Sequence, residues 1–444
     1  MNGTRARTFI AAGLIWVAWS AVIIPRLVQT LTAPKYRTGI TAEPIPYSAL
    51  ASFADRSFTL VLFGYLAAVF VYMALSRSIE PRMTIVVFLL PWATLVLRDL
   101  YIGDQPDIAA IVYPAIALAV WALSPRLAAL RHLAYATGVT AAISLALGWA
   151  APDKGLYRSV GGELIRPDKQ IMPWGVLVGP VTSGNNLAQL LVLGLPAIAL
   201  VQTWRLRALI FIPTSFAIVW TASRSSIVAL GVFIVVVSAM AFFRGRGRLI
   251  VAAMAMAATA VVVVALPLLT ENQQAFTNRG YIWAMSLEAW SDNPWSGLGS
   301  GWYDEIAAFQ TALNGYAFHG HNQFIQTLVA GGFFLAAAVA LHMIATGVAA
   351  LRVGERQVLF AAPYLCVLAV SCYLEVSMGY VDRFAFVPVT TLPLAFILFR
   401  ELERQPLDVR VSDDRARRPA TSGAASRAGD AGVGEWCVDL RQGR

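Results

Sequence analysis

Residues 270–326 form a polar stretch between two apolar blocks, and they carry the side chains best suited to chemistry. Arg279 is the only lysine or arginine in this stretch, and His319 and His321 lie near its end. A guanidinium can bind an anion through several N–H groups, and an imidazole, whose unperturbed pKa is about 6.5, can serve as a general base. We therefore expect an anionic ligand and a proton transfer in this stretch.

Each of these residues also has a structural alternative. Arg279 could form a salt bridge with an acid of the same stretch, and His321, which precedes Asn322 and an apolar block, could cap a helix. His319 lies two residues before His321, a spacing that fits no helical pair of metal ligands. The residues alone leave the roles of Arg279 and His321 open, and they predict no metal site.

A further cation, Arg224, is the only charged residue of the apolar block 208–243. Because a helix of about 20 residues spans a bilayer, this block predicts two spans that meet at a turn around Ser223, Arg224 and Ser225. An arginine near the membrane face costs about 1–3 kcal/mol unless it is paired, which favours a bound ligand. The alternative is an arginine that extends its head group to the interface and anchors the turn.

Other polar residues are weaker candidates. In the segment 152–186, several cations precede a Gly/Asn-rich turn, which could bind a phosphate at a helix N-terminus or could be a solvated loop; the cations are Lys154, Arg158, Arg166 and Lys169. Charged residues that flank the apolar blocks are expected to be structural; they are Asp55, Arg56, Arg98, Asp99, Glu375, Asp382 and Arg383.

Membrane spans are the elements that must position these residues. Hydrophobic residues make up 58% of the 444 residues and charged residues 13%, whereas a soluble domain has about 25% charged residues. Apolar blocks long enough to approach a bilayer width recur at 9–25, 58–75, 83–97, 108–123, 133–151, 187–203, 208–222, 226–243, 249–269, 323–351, 358–378 and 384–399. We therefore predict an all-α polytopic membrane protein with about 12 transmembrane helices. Its long periplasmic (extracytoplasmic) loop, 270–322, lies between spans nine and ten.

Arginines set the predicted orientation. They precede the first span and fill alternate connections; they are Arg5, Arg7, Arg77, Arg82, Arg126, Arg131, Arg205, Arg207, Arg244, Arg246, Arg248, Arg352 and Arg356. By the positive-inside rule both termini are cytoplasmic, so the 26–57, 152–183 and 270–322 loops face outward. We predict a multi-pass protein of the cell's inner (plasma) membrane. The net charge of +9 comes largely from these arginines and is no evidence for nucleic-acid binding.

Two parts of the chain are expected. Residues 1–400 would form the transmembrane domain with its catalytic outer loop, and residues 401–444, which have almost no apolar periodicity, a disordered cytoplasmic tail. The first span has the character of a signal anchor, and the three cysteines indicate no disulfide framework. Residues 279–290 have helical spacing, with aromatic and methionine side chains suited to the outer membrane interface.

Short motifs between about residues 179 and 332 together resemble the bacterial O-antigen ligase and O-antigen polymerase superfamily of membrane glycosyltransferases. Each motif is degenerate, whereas their order within this topology is specific. The motifs are Asn185–Asn186 at the start of a span, Ser-Arg-Ser at 223–225, Arg279 followed by Trp283 and by NPWSGLGSGWY at 293–303, and His321–Asn322 at the start of a span that reaches Gly331–Gly332.

The resemblance implies transfer of a glycan from an undecaprenyl-diphosphate donor at the outer leaflet, without a metal, a nucleotide sugar or another cofactor. It implies that Arg224 and Arg279 hold the diphosphate and that His321 takes the proton from an acceptor hydroxyl, with inversion at the anomeric carbon. Further substrate contacts are expected from Asn186, Trp283 and Asn322. The expected partners are the donor, a glycan or lipid-linked acceptor and membrane lipids, and not nucleic acid.

Two alternatives remain at this stage. O-antigen ligase, O-antigen or exopolysaccharide polymerase, and protein-glycosylating activities share the donor and differ in the acceptor. A transporter or flippase of lipid-linked oligosaccharides, without glycosyl transfer, would place polar residues at mid-membrane depth in broken helices. The polar candidates of this sequence gather at the predicted outer face instead, which favours the enzyme.

Overall fold

The computed structural model describes residues 3–33, 46–76, 83–103, 108–158, 169–309, 319–381 and 384–400. These residues are helical and contain no strand, which confirms the all-α prediction. Their α-helices are α1 (Gly3–Thr32), α2 (Ala49–Ser76), α3 (Thr84–Ile102), α4 (Val112–Leu123), α5 (Arg131–Ala150), α6 (Pro152–Gly155), α7 (Gly184–Gly194), α8 (Trp204–Trp220), α9 (Arg224–Phe242), α10 (Gly245–Leu268), α11 (Ala275–Ser291), α12 (Trp302–Phe309), α13 (Gln323–Leu351), α14 (Val358–Leu374) and α15 (Thr391–Phe399).

Seven helices of the described residues are long and apolar enough to cross a membrane. They are α1 from Arg5 onward, α2, α3, α5 with the turn that precedes it, α9, α10 and α13. The other apolar blocks of the sequence fall on the shorter helices α4, α7, α8, α14 and α15. The chain is therefore an integral membrane protein, whereas a total of twelve spans remains a prediction.

The apolar block 208–243 divides into two helices, as predicted. α8 ends at Trp220 and α9 begins at Arg224, and Ala222 between them has a positive φ of 56°. Gly184, at the start of α7, lies so close to this turn that a Cβ there would come within 2.8 Å of the Thr221 carbonyl oxygen. The turn before α9 and the start of α7 therefore meet at one end of the helix bundle.

α13 is broken at Gly331 and Gly332, the latter with φ 61° and ψ −156°. Backbone of the loop 294–299 fills the break: Leu298 and Gly299 donate to the carbonyls of Val329 and Ala330, at 2.6 and 3.1 Å. In the other direction, Phe333 and Phe334 donate to the carbonyls of Pro294 and Trp295, at 2.9 and 3.1 Å. This part of the predicted outer loop re-enters the bundle, which a membrane allows because its backbone groups are paired inside the protein.

The end of α3 holds the same loop. The guanidinium of Arg98 donates to the carbonyls of Ser296 and Gly297, and the carboxylate of Asp99 accepts from the backbone and the hydroxyl of Ser300 at 2.9 and 2.7 Å. Arg98 and Asp99 are both buried. The structural role expected for these two residues is therefore the anchoring of the loop 294–300.

Some predictions fall on residues outside the described ranges. They concern the tail 401–444, the cytoplasmic Arg77 and Arg82, the cation Arg166, and Asp382 with Arg383.

His342 is a buried histidine of α13 that no motif singles out. Its ring centre lies 4.6 Å from that of Phe88, and in the described part of the chain neither ring nitrogen has a hydrogen-bond partner. A buried polar group without a partner costs about 1–3 kcal/mol. We expect His342→Leu to raise the melting temperature of the full chain in detergent.

His132 provides the control for this prediction, because its Nδ1 accepts a hydrogen bond from Trp16 Nε1 at 3.1 Å. His132→Leu should lower the melting temperature, since it removes that bond. A lower melting temperature for His342→Leu would show that the imidazole of His342 stabilises the fold.

Candidate functional site

A carboxylate lies at the centre of the end of the bundle where α7, α9 and α13 begin and α14 ends. The positive-inside rule predicts that this end faces outward, and we call it the outer end. Glu375 directly follows α14, and its Oε1 lies 2.6 Å from Arg279 Nη2 and accepts from Asn185 Nδ2 at 3.0 Å. Its Oε2 lies 3.7 Å from His319 Nε2 and 3.8 Å from His321 Nδ1. We call these five residues the Glu375 cluster.

The cluster is sheltered from water. The side chain of Glu375 is 7% exposed, that of His319 5%, that of His321 13% and that of Arg279 17%. Charges that interact at low exposure are less screened than surface pairs. The arginine and histidine that the sequence singles out thus lie in one polar pocket of the fold.

Arg279 reaches Glu375 because the backbone before it turns sharply. Phe276, Thr277 and Asn278 all have positive φ, of 53°, 64° and 65°. Tyr281 N then donates to Gln273 O at 2.9 Å, which closes the turn. Three successive residues in this conformation are costly, so the surrounding contacts must hold Arg279 in its position.

The two histidines form a tight loop. His321 has a φ of 48°, and its backbone N–H donates to His319 Nδ1 at 3.0 Å. Because Nδ1 of His319 accepts this bond, a neutral His319 carries its proton on Nε2, the atom that faces Glu375. His319 is therefore suited to donate to the carboxylate and unsuited to accept a proton from a substrate.

His321 has the complementary arrangement. Its Nδ1 faces Glu375 Oε2 at 3.8 Å, a distance outside hydrogen-bond range. A proton on Nδ1 directed to the carboxylate leaves the Nε2 lone pair as a base. His321 is also the more exposed of the two histidines, which leaves it the better placed for substrate.

Two residues that were expected to contact substrate support the histidine loop instead. Trp283 is 1% exposed, and its Nε1 donates to the carbonyl of Gly320 at 3.1 Å. Asn322 is fully buried; its Oδ1 caps α13 by accepting from the backbone of Phe324 and Ile325, and its Nδ2 donates to two carbonyls. Trp283 and Asn322, which belong to the sequence motifs, therefore hold the loop that carries His321.

A small apolar core under the histidine loop includes Trp283, Tyr303, Ile325 and Val329. The Tyr303 hydroxyl lies 2.9 Å from the hydroxyl of Ser286, and burial raises the pKa of Tyr303. The phenol is therefore neutral and acts here as a hydrogen-bonding group. Trp283 therefore packs in this core. The spacing of residues 279–290 predicts a position at the membrane interface instead.

Arg224 lies at the same end of the bundle, as the first residue of α9. Its side chain is exposed, and no described contact joins it to the Glu375 cluster. Ser223 beside it is buried and lies within 3.2 Å of the Ser226 hydroxyl. The serine hydroxyls therefore hold the turn at the start of α9, and the side chain of Arg224 lies at the surface of the described residues.

Of the two asparagines in the Asn185–Asn186 motif, Asn185 belongs to the Glu375 cluster. Asn186 is the one that the resemblance predicts to contact substrate. Asn185 donates to Glu375, whereas Asn186 is exposed. Lys154, from the cations of the same segment, donates to the carbonyl of Ala33 and so ties the loop to the end of α1. Sequence reasoning missed Asn185 and Glu375 as site residues, because the bond between them joins distant segments.

His319, His321 and Glu375 also offer three donor atoms within 4.8 Å of one another, a spacing that could hold a metal ion. Two contacts argue against this use. The bond from His321 N occupies the Nδ1 lone pair of His319, so that Nε2 must be protonated, and Arg279 already neutralises Glu375. The donor set therefore fits an ion-pair cluster better than a metal site.

Residues 208–340 match the family model described as O-antigen ligase. The matched range begins in α8 and includes Arg224, Arg279, the histidine loop and the break in α13. No curated protein matches the chain.

Proposed function

We propose that this chain, whose residues 208–340 belong to the O-antigen ligase superfamily, is an inverting, metal-independent glycosyltransferase of the inner membrane. The donor would be a glycan on undecaprenyl diphosphate, used at the outer face. The acceptor would be a sugar, either on a lipid-anchored core or at the end of another glycan. The observation that carries the proposal is the Glu375 cluster, which brings an anion-binding arginine and a histidine base together at the outer end.

The electrostatics of the outer end suit a diphosphate. Arg279 uses one nitrogen for Glu375, and a guanidinium has further N–H groups for phosphate oxygens. Arg224 stands at the N-terminus of α9, and α7 and α13 begin at the same end. Helix N-termini favour anions, so the two arginines and these termini would bind the donor and stabilise the charge that develops on the leaving diphosphate.

In the proposed reaction the acceptor hydroxyl oxygen attacks the anomeric carbon of the donor sugar. Its proton passes to His321 Nε2, and the bond between the anomeric carbon and the diphosphate oxygen breaks with its electron pair on the diphosphate. Direct displacement inverts the anomeric carbon. Glu375 would stabilise the imidazolium that forms, as a carboxylate behind a histidine does in other enzymes.

A flippase or transporter is the competing function. The broken helix α13 is a feature that transporters share. In this chain, however, the backbone groups at the break pair with the backbone of the loop 294–299, so they are not left to coordinate a transported ion or substrate. That packing supports the enzyme over the transporter.

The arginines provide the test of the proposed function. Arg224→Ala and Arg279→Ala should each lower glycan transfer about 10- to 100-fold, because each removes a charge-assisted hydrogen bond to the diphosphate. The measurement is product formation in membranes of a strain that lacks the gene, with each full-length variant returned to it. EDTA is present throughout, so full activity of the unaltered protein would support metal independence.

Arg56→Ala is the matched control, since Arg56 is an exposed arginine near the start of α2. It should leave transfer unchanged. Donor that accumulates at the outer leaflet in the Arg279 variant would support the enzyme. Donor trapped at the inner leaflet would support a flippase, and normal transfer in both arginine variants would contradict the proposal.

A further inference from the structure

A cleft of mixed apolar and neutral polar lining includes residues that neighbour the Glu375 cluster in the chain. It contains about 360 Å³ of space not filled by atoms, its open mouth included. Val376, the residue after Glu375, lines one side, and Gln326 lines another. Gln326 Oε1 accepts from the backbone of Gly320 at 2.8 Å, and Gly320 directly precedes His321. A side chain of the cleft therefore binds the backbone next to the proposed base.

The chemistry of this cleft differs from that of the cluster. Its polar lining consists of the amides of Gln323 and Gln326 and the hydroxyls of Ser300, Thr327 and Tyr380, and among the described residues no charged side chain lines it. Amides and hydroxyls both donate and accept hydrogen bonds. The rest of the lining is apolar and includes Leu95, Leu335 and Val376. A sugar presents hydroxyl groups at its edge and C–H groups on its faces, so it matches this combination.

Several of these groups remain usable by a ligand. Gln323 is committed, since its amide holds the backbone of Met378 through bonds of 2.9 and 3.0 Å. Gln326 uses its oxygen for Gly320, which leaves the amide nitrogen as a donor. Thr327 donates to the carbonyl of Gln323 at 2.7 Å and keeps its oxygen lone pairs. Within the described ranges, the one hydrogen bond from the Tyr380 hydroxyl goes to the sulfur of Met378, at 4.0 Å, a weak bond that a sugar hydroxyl could replace.

We propose that this cleft binds the hydroxyl-bearing edge of the acceptor sugar, with Gln326 and Thr327 as the residues that orient it toward His321. The inference rests on the proposed function, to which it adds the acceptor subsite. It also divides the site by charge: Arg279 and Arg224 take the anionic donor, and the cleft, which no described charged side chain lines, takes the acceptor.

The test separates donor from acceptor kinetics in the full-length protein, reconstituted in lipid vesicles. The probes are the polyprenyl-diphosphate glycan fraction and the acceptor glycolipid fraction, both extracted from a strain that lacks the gene. Gln326→Glu retains the oxygen that binds Gly320 and removes the amide donor; Thr327→Val removes the hydroxyl at nearly constant shape. Each should raise the KM for the acceptor about 3- to 10-fold, the effect of one lost hydrogen bond, and leave the KM for the donor unchanged. The share of glycan released to water should rise.

Thr346→Val is the matched control, because Thr346 is also buried in α13 and donates in the same way to the carbonyl four residues back, at 2.8 Å. It should leave both KM values unchanged. Thr327→Ser, which keeps the hydroxyl, should behave as the unaltered protein. If Thr327→Val fails to fold, the acceptor KM of Gln326→Glu decides the matter. Acceptor KM values within twofold of the unaltered protein for Gln326→Glu and Thr327→Val would overturn the inference alone. An unchanged rate for His321→Ala would overturn the proposed function itself.

Discussion

Replacement of His321 by alanine should reduce the rate of glycosyl transfer by about 10²- to 10⁴-fold, the usual contribution of a general base. His321 is the residue of the cluster that can accept a proton, since its Nδ1 faces Glu375 and its neighbour His319 has Nδ1 occupied by a backbone N–H. The loss should fall on kcat, because the arginines proposed to bind the donor remain in place. The measurement is single-turnover transfer with a saturating lipid-diphosphate donor.

Glu375→Gln is the companion variant for this experiment. It keeps the size of the side chain and removes the charge that would stabilise the imidazolium of His321, so we expect a smaller loss, of about 10- to 100-fold. Partial rescue of His321→Ala by added imidazole would identify a proton-transfer role. A His321→Ala protein that melts normally and transfers at the normal rate would contradict the assignment of the base.

The sequence carried enough information to predict the all-α class and to single out Arg224, Arg279 and His321 as candidate site residues. The block 208–243 is too long for one span and contains a single charge, so a turn at Arg224 follows from bilayer dimensions. Arg279 is conspicuous because it is the only lysine or arginine in the stretch 270–326, and His321 because it is one of two histidines there. In each case the signal is local: an unusual residue type within a stretch of otherwise uniform character.

Glu375 lacks such a local signal. An acid at the end of an apolar run resembles the many charged residues that mark membrane boundaries, and its partner Arg279 lies 96 positions away in the chain. The pairing depends on how α11 and α14 each pack against α13, which hydrophobic periodicity does not specify. For the same reason the sequence could not distinguish Asn185 from its neighbour Asn186, because the rotation of α7 about its own axis decides which amide faces Glu375.

The break in α13 was equally hidden. Glycines within an apolar run are common in membrane helices and are often tolerated there, so Gly331 and Gly332 do not by themselves predict a break. The loop 294–299 that fills the break lies more than thirty residues earlier. The two glycines are necessary because the backbones of two distant segments approach each other closely at this point. This contact exists only in the folded chain.

Gly332→Ala should therefore destabilise the protein and abolish most of its activity. The φ of 61° with ψ of −156° is open essentially to glycine alone, and a Cβ at this position would overlap the carbonyl of Trp295. We expect a loss of about 3 kcal/mol in the free energy of unfolding. The loop 294–299 would then leave the break in α13. The residues that pack beneath the histidine loop would lose this support. The measurements are the melting temperature of the full chain in detergent and transfer in membranes.

Gly347→Ala is the matched control in the same helix, since a Cβ there meets no atom within 4 Å. Alanine favours a helix over glycine by about 1 kcal/mol, so this variant should melt at the same temperature or slightly higher and retain full activity. Equal stability and activity for Gly332→Ala and Gly347→Ala would show that the docked loop does not hold the site. A stable but inactive Gly332→Ala protein would show that the loop 294–299 controls the position of His321 and does not stabilise the fold. Such an effect could reach His321 because less than three turns of α13 separate the break from the histidine loop.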